Sequence, residues 1–188
     1  MRSVLFHRLE DSDRELFLRW TLGQSASVWS RRFWTALTHV GGVTSSVALA
    51  LIPLILAGGQ LKVVAVQAAW ALSISMLIVQ VIKRNVVSER PNEANETVAH
   101  VGIPDRFSFP SGHSTSIMSV AFIHAATFHS LAVPMLLLAA LVGFSRVRLG
   151  AHYPGDVLVG QAGRLRLRRL EALRQLQVAV DRVADQVD

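Results

Sequence analysis

The run Leu61–Ile82 is about 22 residues long, predominantly apolar, and stops abruptly at Lys83-Arg84. A helix of that length rises about 33 Å, enough to cross the hydrocarbon core of a bilayer. Inside a bilayer the backbone must satisfy its own hydrogen bonds, so a spanning segment of this kind is a helix. Further apolar runs at 43–57, 112–129 and 131–147 repeat the pattern. The chain is therefore expected to be all-α: a polytopic membrane helical bundle of about five helices, or six if its N-terminal segment also inserts.

Composition agrees. Of 188 residues, 51% are hydrophobic and only 17% charged, a balance that suits a small integral membrane protein. The net charge of +6 comes with few aromatics, so basic residues flanking membrane helices explain it better than nucleic-acid binding, and no nucleic-acid partner is expected. With no cysteine, disulfides and thiolate metal sites are excluded. The first 20 residues carry eight charged side chains and no apolar h-region, unlike a cleavable signal peptide.

Read in order, residues 1–27 form an amphipathic segment with Leu5, Leu9, Leu16 and Trp20 on one face, a type that lies on a membrane surface more readily than it spans one. Residues 28–163 follow as the membrane domain. A first span is expected over roughly 33–57, with Thr38 and His39 packed inside the bundle and Trp29 and Trp34 at the interface. The second is Leu61–Ile82. A polar loop over 84–111 is long enough to suggest a function. The third span covers 112–129 and the fourth Leu131–Val147, with Pro134 in its first turn. A fifth helix starts near Tyr153-Pro154, but its apolar part ends by Ala162. Residues 164–188 then form a basic, amphipathic tail of heptad type.

The polar segment Arg106-Phe-Ser-Phe-Pro-Ser-Gly-His113 interrupts this apolar pattern. Pro110 ends what precedes it, Ser111 can cap the next helix, and the free N–H groups near Gly112 and His113 suit an anion. Taken alone, it reads equally well as an ordinary helix start with an incidental histidine. Two antiparallel spans bring a second polar group, Ser145-Arg146 with His152 and Asp156, to the same membrane face, and Lys83 with Arg90-Pro91 joins them. Lys83-Arg84 alone would be an interfacial anchor. Together, Lys83, Arg90 and Arg146 are three cations for a multiply charged oxyanion. Ser111 and Gly112 add neutral donors. Asp156 can accept from the imidazole N–H of His152 and leave the other ring nitrogen nucleophilic, and His113 can protonate a leaving oxygen. This is a set for phosphoryl transfer.

Lys83-x6-Arg90-Pro91, Pro110-Ser111-Gly112-His113 and Ser145-Arg146-x5-His152-x3-Asp156 resemble the three-part signature of the type 2 phosphatidic acid phosphatase (PAP2) superfamily. Every signature position is filled, in order and at the right spacing, across residues 83–156. The resemblance implies His152 as nucleophile, Asp156 as its partner and His113 as general acid, with Lys83, Arg90, Ser111, Gly112 and Arg146 cradling the phosphate. It further implies a metal-independent enzyme without cofactor. Its substrate would be a membrane lipid: an anionic phospholipid such as phosphatidic acid or phosphatidylglycerol phosphate, or a polyprenyl diphosphate. Phosphotransfer to another acceptor and vanadate haloperoxidase chemistry are alternatives, as is a non-catalytic lipid-phosphate binder.

Counting only cations the site does not use, Arg164–Arg169 puts the tail in the cytoplasm and the site on the periplasmic or external face of a bacterial-type inner membrane. The departure from the family pattern is the short final apolar run. Its basic continuation either leaves the membrane along the inner head groups or pairs with a second copy as a homo-oligomer.

Overall fold

The computed structural model describes residues 4–86, 88–94, 97–102 and 105–162. They form helices α1 (Val4–Trp20), α2 (Val28–Val40), α3 (Val43–Leu56), α4 (Gly59–Asn85), α5 (Gly112–Thr127) and α6 (His129–Arg148), followed by α7, described over 154–162. Among the described residues there is no strand. Residues 163–188, which carry the expected basic tail, lie outside the described residues.

Helix α4 shows how the pattern sorts lipid from core. Val64, Ala65, Ala68, Ala71, Leu72, Ser75 and Val79 are buried, while Val63, Val66, Trp70, Ile74, Leu77 and Val81 are exposed. This is the 3.6-residue period of a helix with one face on its neighbours. Continued by four residues from Val79, the inner face arrives at Lys83, which is buried, whereas Arg84 is exposed. Helical phase thus separates a cation directed into the bundle from one at its surface. The exposed apolar side chains suit lipid, and α4 and α6 are each long and apolar enough to cross a membrane.

Helix α5 is the core of the bundle and packs against α3, α4 and α6. Ten of its residues are buried, half of them serine or alanine. Small side chains let helices approach closely, and the hydroxyls among them need partners. Ser119 Oγ donates to Ser75 Oγ of α4 at 2.8 Å and to the Thr115 carbonyl at 2.7 Å.

Three local expectations are corrected. The first span is not one helix: α2 and α3 meet at Gly41-Gly42 with a bend of 47°. A Cβ on Gly41 would lie 2.1 Å from Val142 Cγ1, so glycine is what lets this elbow press against α6. Thr38 is buried as expected, but His39, beside the elbow, is exposed. Pro134 falls in the second turn of α6, because the helix already starts at His129. Its ring removes the N–H that the Ser130 carbonyl would otherwise accept from.

Helix α1 is amphipathic, and its anchor is Phe17. Leu16 and Trp20 are 38% and 39% exposed, whereas Phe17 is fully buried against Val147, Val157 and Tyr153. Asp13, one turn earlier, accepts from the Gly155 N–H at 2.7 Å. Leu22 N–H donates to the Arg148 carbonyl and Arg148 Nη1 to the Trp20 carbonyl, both at 2.8 Å. α1 therefore docks on the turn that joins α6 to α7.

Loop 86–111 folds over that same end. His100 N–H donates to the Leu149 carbonyl at 2.9 Å and Ser108 N–H to the Ser88 carbonyl at 3.0 Å. Gly150 has φ +74°, and a Cβ there would lie 3.0 Å from the Val98 carbonyl oxygen. Both conditions demand glycine where the loop crosses the turn. The closing wedge is α7. Cβ atoms on Gly143 and Gly160 would meet Gln161 Nε2 at 2.3 Å and the Ser111 carbonyl oxygen at 2.9 Å. These two glycines seat α7 between α6 and α5.

Candidate active site

The ends of α4, α5, α6 and α7 converge on one side of the bundle with the 86–111 loop. The turn of residues 149–153 is pinned by hydrogen bonds from the Ala151 and His152 N–H groups to the Arg146 carbonyl, at 3.0 and 3.3 Å. Ser111 N–H donates to the Asp156 carbonyl at 3.1 Å, so the start of α5 is tied through backbone to the start of α7. Arg90, Ser111, Arg146, His152 and Asp156 are all buried. Four of these five are ionisable, and burying them demands partners.

His152 lies between two environments. Its Nδ1 is 3.4 Å from Ser108 Oγ and 3.5 Å from Asp156 Oδ2. Its Nε2 is 3.3 Å from Arg90 Nη1. Asp156 Oδ2 accepts from the Tyr153 N–H at 3.0 Å and from Ser108 Oγ by a short hydrogen bond. The expected direct bond from His152 to Asp156 is thus long, and Ser108 bridges the pair. With Ser108 donating to the carboxylate, Nδ1–H donates toward Ser108 and Nε2 keeps its lone pair facing the cations. Burial, together with the nearby charges of Arg146, Arg90 and Lys83, holds the imidazole of His152 well below its ordinary range, so the ring is neutral at pH 7.

Lys83 and Arg90 share one carboxylate. Lys83 Nζ lies 2.9 Å from both oxygens of Asp105 and 3.0 Å from the Phe107 carbonyl. Arg90 Nη2 donates to Asp105 Oδ1 and, at 3.0 Å, to the Phe107 carbonyl. Its Nε donates to the Asp105 carbonyl at 3.0 Å and its Nη1 to the Ala151 carbonyl at 2.8 Å. Partial burial works to raise Asp105, but the bonds and charges of Lys83 and Arg90 prevail and hold its carboxyl below the ordinary value.

Arg146 is bound much more lightly. Nη1 donates to Thr38 Oγ1 at 3.1 Å, and Nε, though buried, has no partner among the described residues. His113 projects toward the elbow, where a Cβ on Gly42 would lie 3.8 Å from its Nε2. Arg146, His152 and His39 are close enough to act on its ring electrostatically. Ser111 occupies the N-cap position of α5 without a capping bond, and its Oγ accepts from Ser114 Oγ at 2.9 Å.

All eight sequence-predicted residues therefore lie around one buried region. Sequence reasoning missed Asp105, Ser108 and Thr38. An acid standing beside Arg106, close to the polar segment that starts α5, was a usable signal for Asp105, and a serine three residues before Ser111 a weak one for Ser108. Nothing in the sequence linked Thr38 to Arg146, 108 positions away. Among the described residues, no group of three or more His, Cys, Asp or Glu side chains could hold a metal ion.

The fold and this region define a class: a helical membrane protein with a buried cationic cradle facing an imidazole. The chain belongs to the PAP2 superfamily, whose sequence profile matches residues 64–163. It is 45% identical over 80 residues to the decaprenylphosphoryl-5-phosphoribose phosphatase of Mycolicibacterium smegmatis, covering 43% of each chain. The chain spans less than half the length of the curated relatives of this kind that it matches. Its fold is similar to the crystal structure of Aquifex aeolicus LpxE, with TM-score 0.64 and 25% identity, over 78% of this chain and 86% of that one. It is also similar to a transmembrane PAP2-type phosphatidylglycerolphosphate phosphatase of Bacillus subtilis, with TM-score 0.67 and 20% identity, over 94% and 89%.

Proposed function

We propose that this protein is an integral-membrane phosphatase that hydrolyses a lipid-linked phosphate ester through a phosphohistidine intermediate. The observation that carries the reading is the orientation of His152: Nδ1 toward Ser108 and Asp156, Nε2 toward Arg90. Lys83, Arg90, Arg146, Ser111 and the N–H groups of Gly112 and His113 bind the phosphate oxygens and neutralise their charge. Nε2 of His152 attacks phosphorus as the P–O bond to the lipid breaks, and His113 gives its proton to the departing alkoxide. Water then attacks the phosphohistidine, returning a proton to His113 and releasing phosphate and His152. Asp156, through Ser108, holds the tautomer and stabilises the positive charge that builds on the ring.

Surroundings and kinship support the substrate class. The site sits at the end of a lipid-exposed bundle, and the 45% identical relative is named for a polyprenyl-linked phosphate. A polyprenyl-linked phosphate, phosphatidic acid or phosphatidylglycerol phosphate would each present a phosphate there. We place the site on the periplasmic or external face of the membrane, on the charge asymmetry of the sequence.

The test is phosphate release in detergent from a panel of lipid phosphates and diphosphates, with and without chelator. Samples quenched in alkaline detergent are assayed for phosphate on protein that is stable to base and lost in acid. His152→Ala and His113→Ala are expected to express normally and to lose activity by about 10³-fold or more. Turnover that survives His152→Ala sinks the mechanism, and turnover lost to chelator contradicts a metal-independent one.

A further inference from the structure

The carboxylate of Asp105 makes the contacts a substrate phosphate would need. Its oxygens are 2.9 Å from Lys83 Nζ, and one also accepts from Arg90 Nη2. The two cations are buried, with side chains 5% and 1% exposed, while the Asp105 side chain is 43% exposed at the end of a loop segment. Two buried cations need a counter-charge at all times, since breaking such a pair on one side is strongly destabilising. A phosphate bound by the same two donors supplies that charge itself. The carboxylate and the phosphate oxygens therefore want the same N–H groups, and the more exposed, loop-borne partner is the one able to move. The remaining contacts of Lys83 and Arg90, to the Phe107, Ala151 and Asp105 carbonyls, keep both cations in place during the exchange.

We propose that Asp105 is a resident counter-ion that competes with phosphate for Lys83 and Arg90, and so sets phosphate affinity and speeds release of inorganic phosphate after turnover. The inference rests on the phosphatase reading of the same site. Asp105 touches the groups that would bind substrate without taking part in bond making. Its removal strengthens phosphate binding, whereas removal of a purely structural residue weakens it. The competition is steepest for the most highly charged ligand, so Asp105 also biases the site toward a phosphate monoester and against a diphosphate.

The experiment measures thermal unfolding of the full chain in detergent against inorganic phosphate, and separately against pyrophosphate. Asp105→Asn is expected to unfold at a lower temperature than wild type without ligand. It should regain that loss with phosphate, bind phosphate about tenfold or more tightly, and gain still more for pyrophosphate. Asp105→Glu, which keeps the carboxylate, should behave as wild type. Phosphate affinity unchanged or weakened in Asp105→Asn overturns the inference. The readout needs no turnover. A protein that hydrolyses no lipid phosphate yet shows this differential binding would sink the hydrolase reading alone. Normal turnover with identical phosphate affinities would sink the counter-ion alone.

Discussion

The two sides of the cationic cradle are built differently. On one side Lys83 and Arg90 are held by the Asp105 carboxylate and by the carbonyls of Asp105, Phe107 and Ala151. On the other, Arg146 donates to Thr38, and its buried Nε meets no partner among the described residues. The first side is supplied by the end of α4 and the loop that follows it, and its cations are bound as firmly as structural residues. The second is supplied by α6 and the elbow of the bent span, and keeps donors in reserve. Firmly paired donors can be recruited only by exchange, while spare donors bind without rearrangement. A cradle with both kinds has a ready entry point for an anion and a second contact that must be won from a carboxylate.

Exchanging the two arginines breaks or sharpens this contrast most. Arg90→Gln and Arg146→Gln are each expected to lower kcat/KM about 10²-fold or more. Only Arg90→Gln should also lower Tm in detergent, because it leaves the Asp105 and Ala151 carbonyls without their donor and the Asp105 carboxylate with Lys83 alone, whereas Arg146→Gln removes a buried charge that was poorly paired. Equal Tm losses would erase the distinction. Next in size is Gly41→Ala, whose added Cβ meets Val142 at 2.1 Å. It should cost about 1–3 kcal/mol by overpacking and displace Thr38 from Arg146, and Val142→Ala should restore the fit. A Gly41→Ala protein with wild-type stability would mean that the elbow does not press on α6.

His152 sits between the two sides and gives them a pH signature. Its folded-state value lies well below the 6.5 of a free imidazole, through burial and then its cationic neighbours. The stability linked to its neutral form is therefore fully present above pH 6.5. It is lost as pH falls below that value, where the unfolded chain takes up a proton the folded chain refuses, by at most about 1.4 kcal/mol per pH unit. Thermal unfolding from pH 7.5 to 5.5 should fall more steeply for wild type than for His152→Asn, and parallel curves would count against a neutral buried ring. The smallest effect is expected for Ser108→Ala. It removes the bridge between His152 and Asp156 and should lower kcat about tenfold or less with KM unchanged. A change in KM alone would move Ser108 from the imidazole side to the phosphate side.

The membrane helices and the residues that gather in the buried region were legible in the sequence for the same reason. In an apolar chain, polarity is a marked event, so Lys83, Arg90, His113, Arg146, His152 and Asp156 stand out against long hydrophobic runs. The period of α4 already assigns Lys83 to the inner face. The partners of these residues were much less legible. Backbone carbonyls such as Phe107 and Ala151 carry no mark in sequence, and Thr38 reaches Arg146 only through tertiary packing. The bend at Gly41-Gly42 was hidden because two glycines in an apolar run fit a continuous helix as well as a broken one until Val142 is placed against them. For α1, Phe17 was overlooked in favour of a leucine stripe, since the surface it meets is the turn between α6 and α7 and not a uniform apolar sheet.

The seating of α7 has a consequence for biogenesis. Gly143, Gly160 and the Gln161 bond to the Ala139 carbonyl lock Asp156 into register only once α5 and α6 are already side by side. The last charged member of the site arrives with the last described helix. A chain caught part-way through insertion holds cations and an imidazole but no aligned carboxylate. Alignment of the site is therefore complete only when α7 is seated.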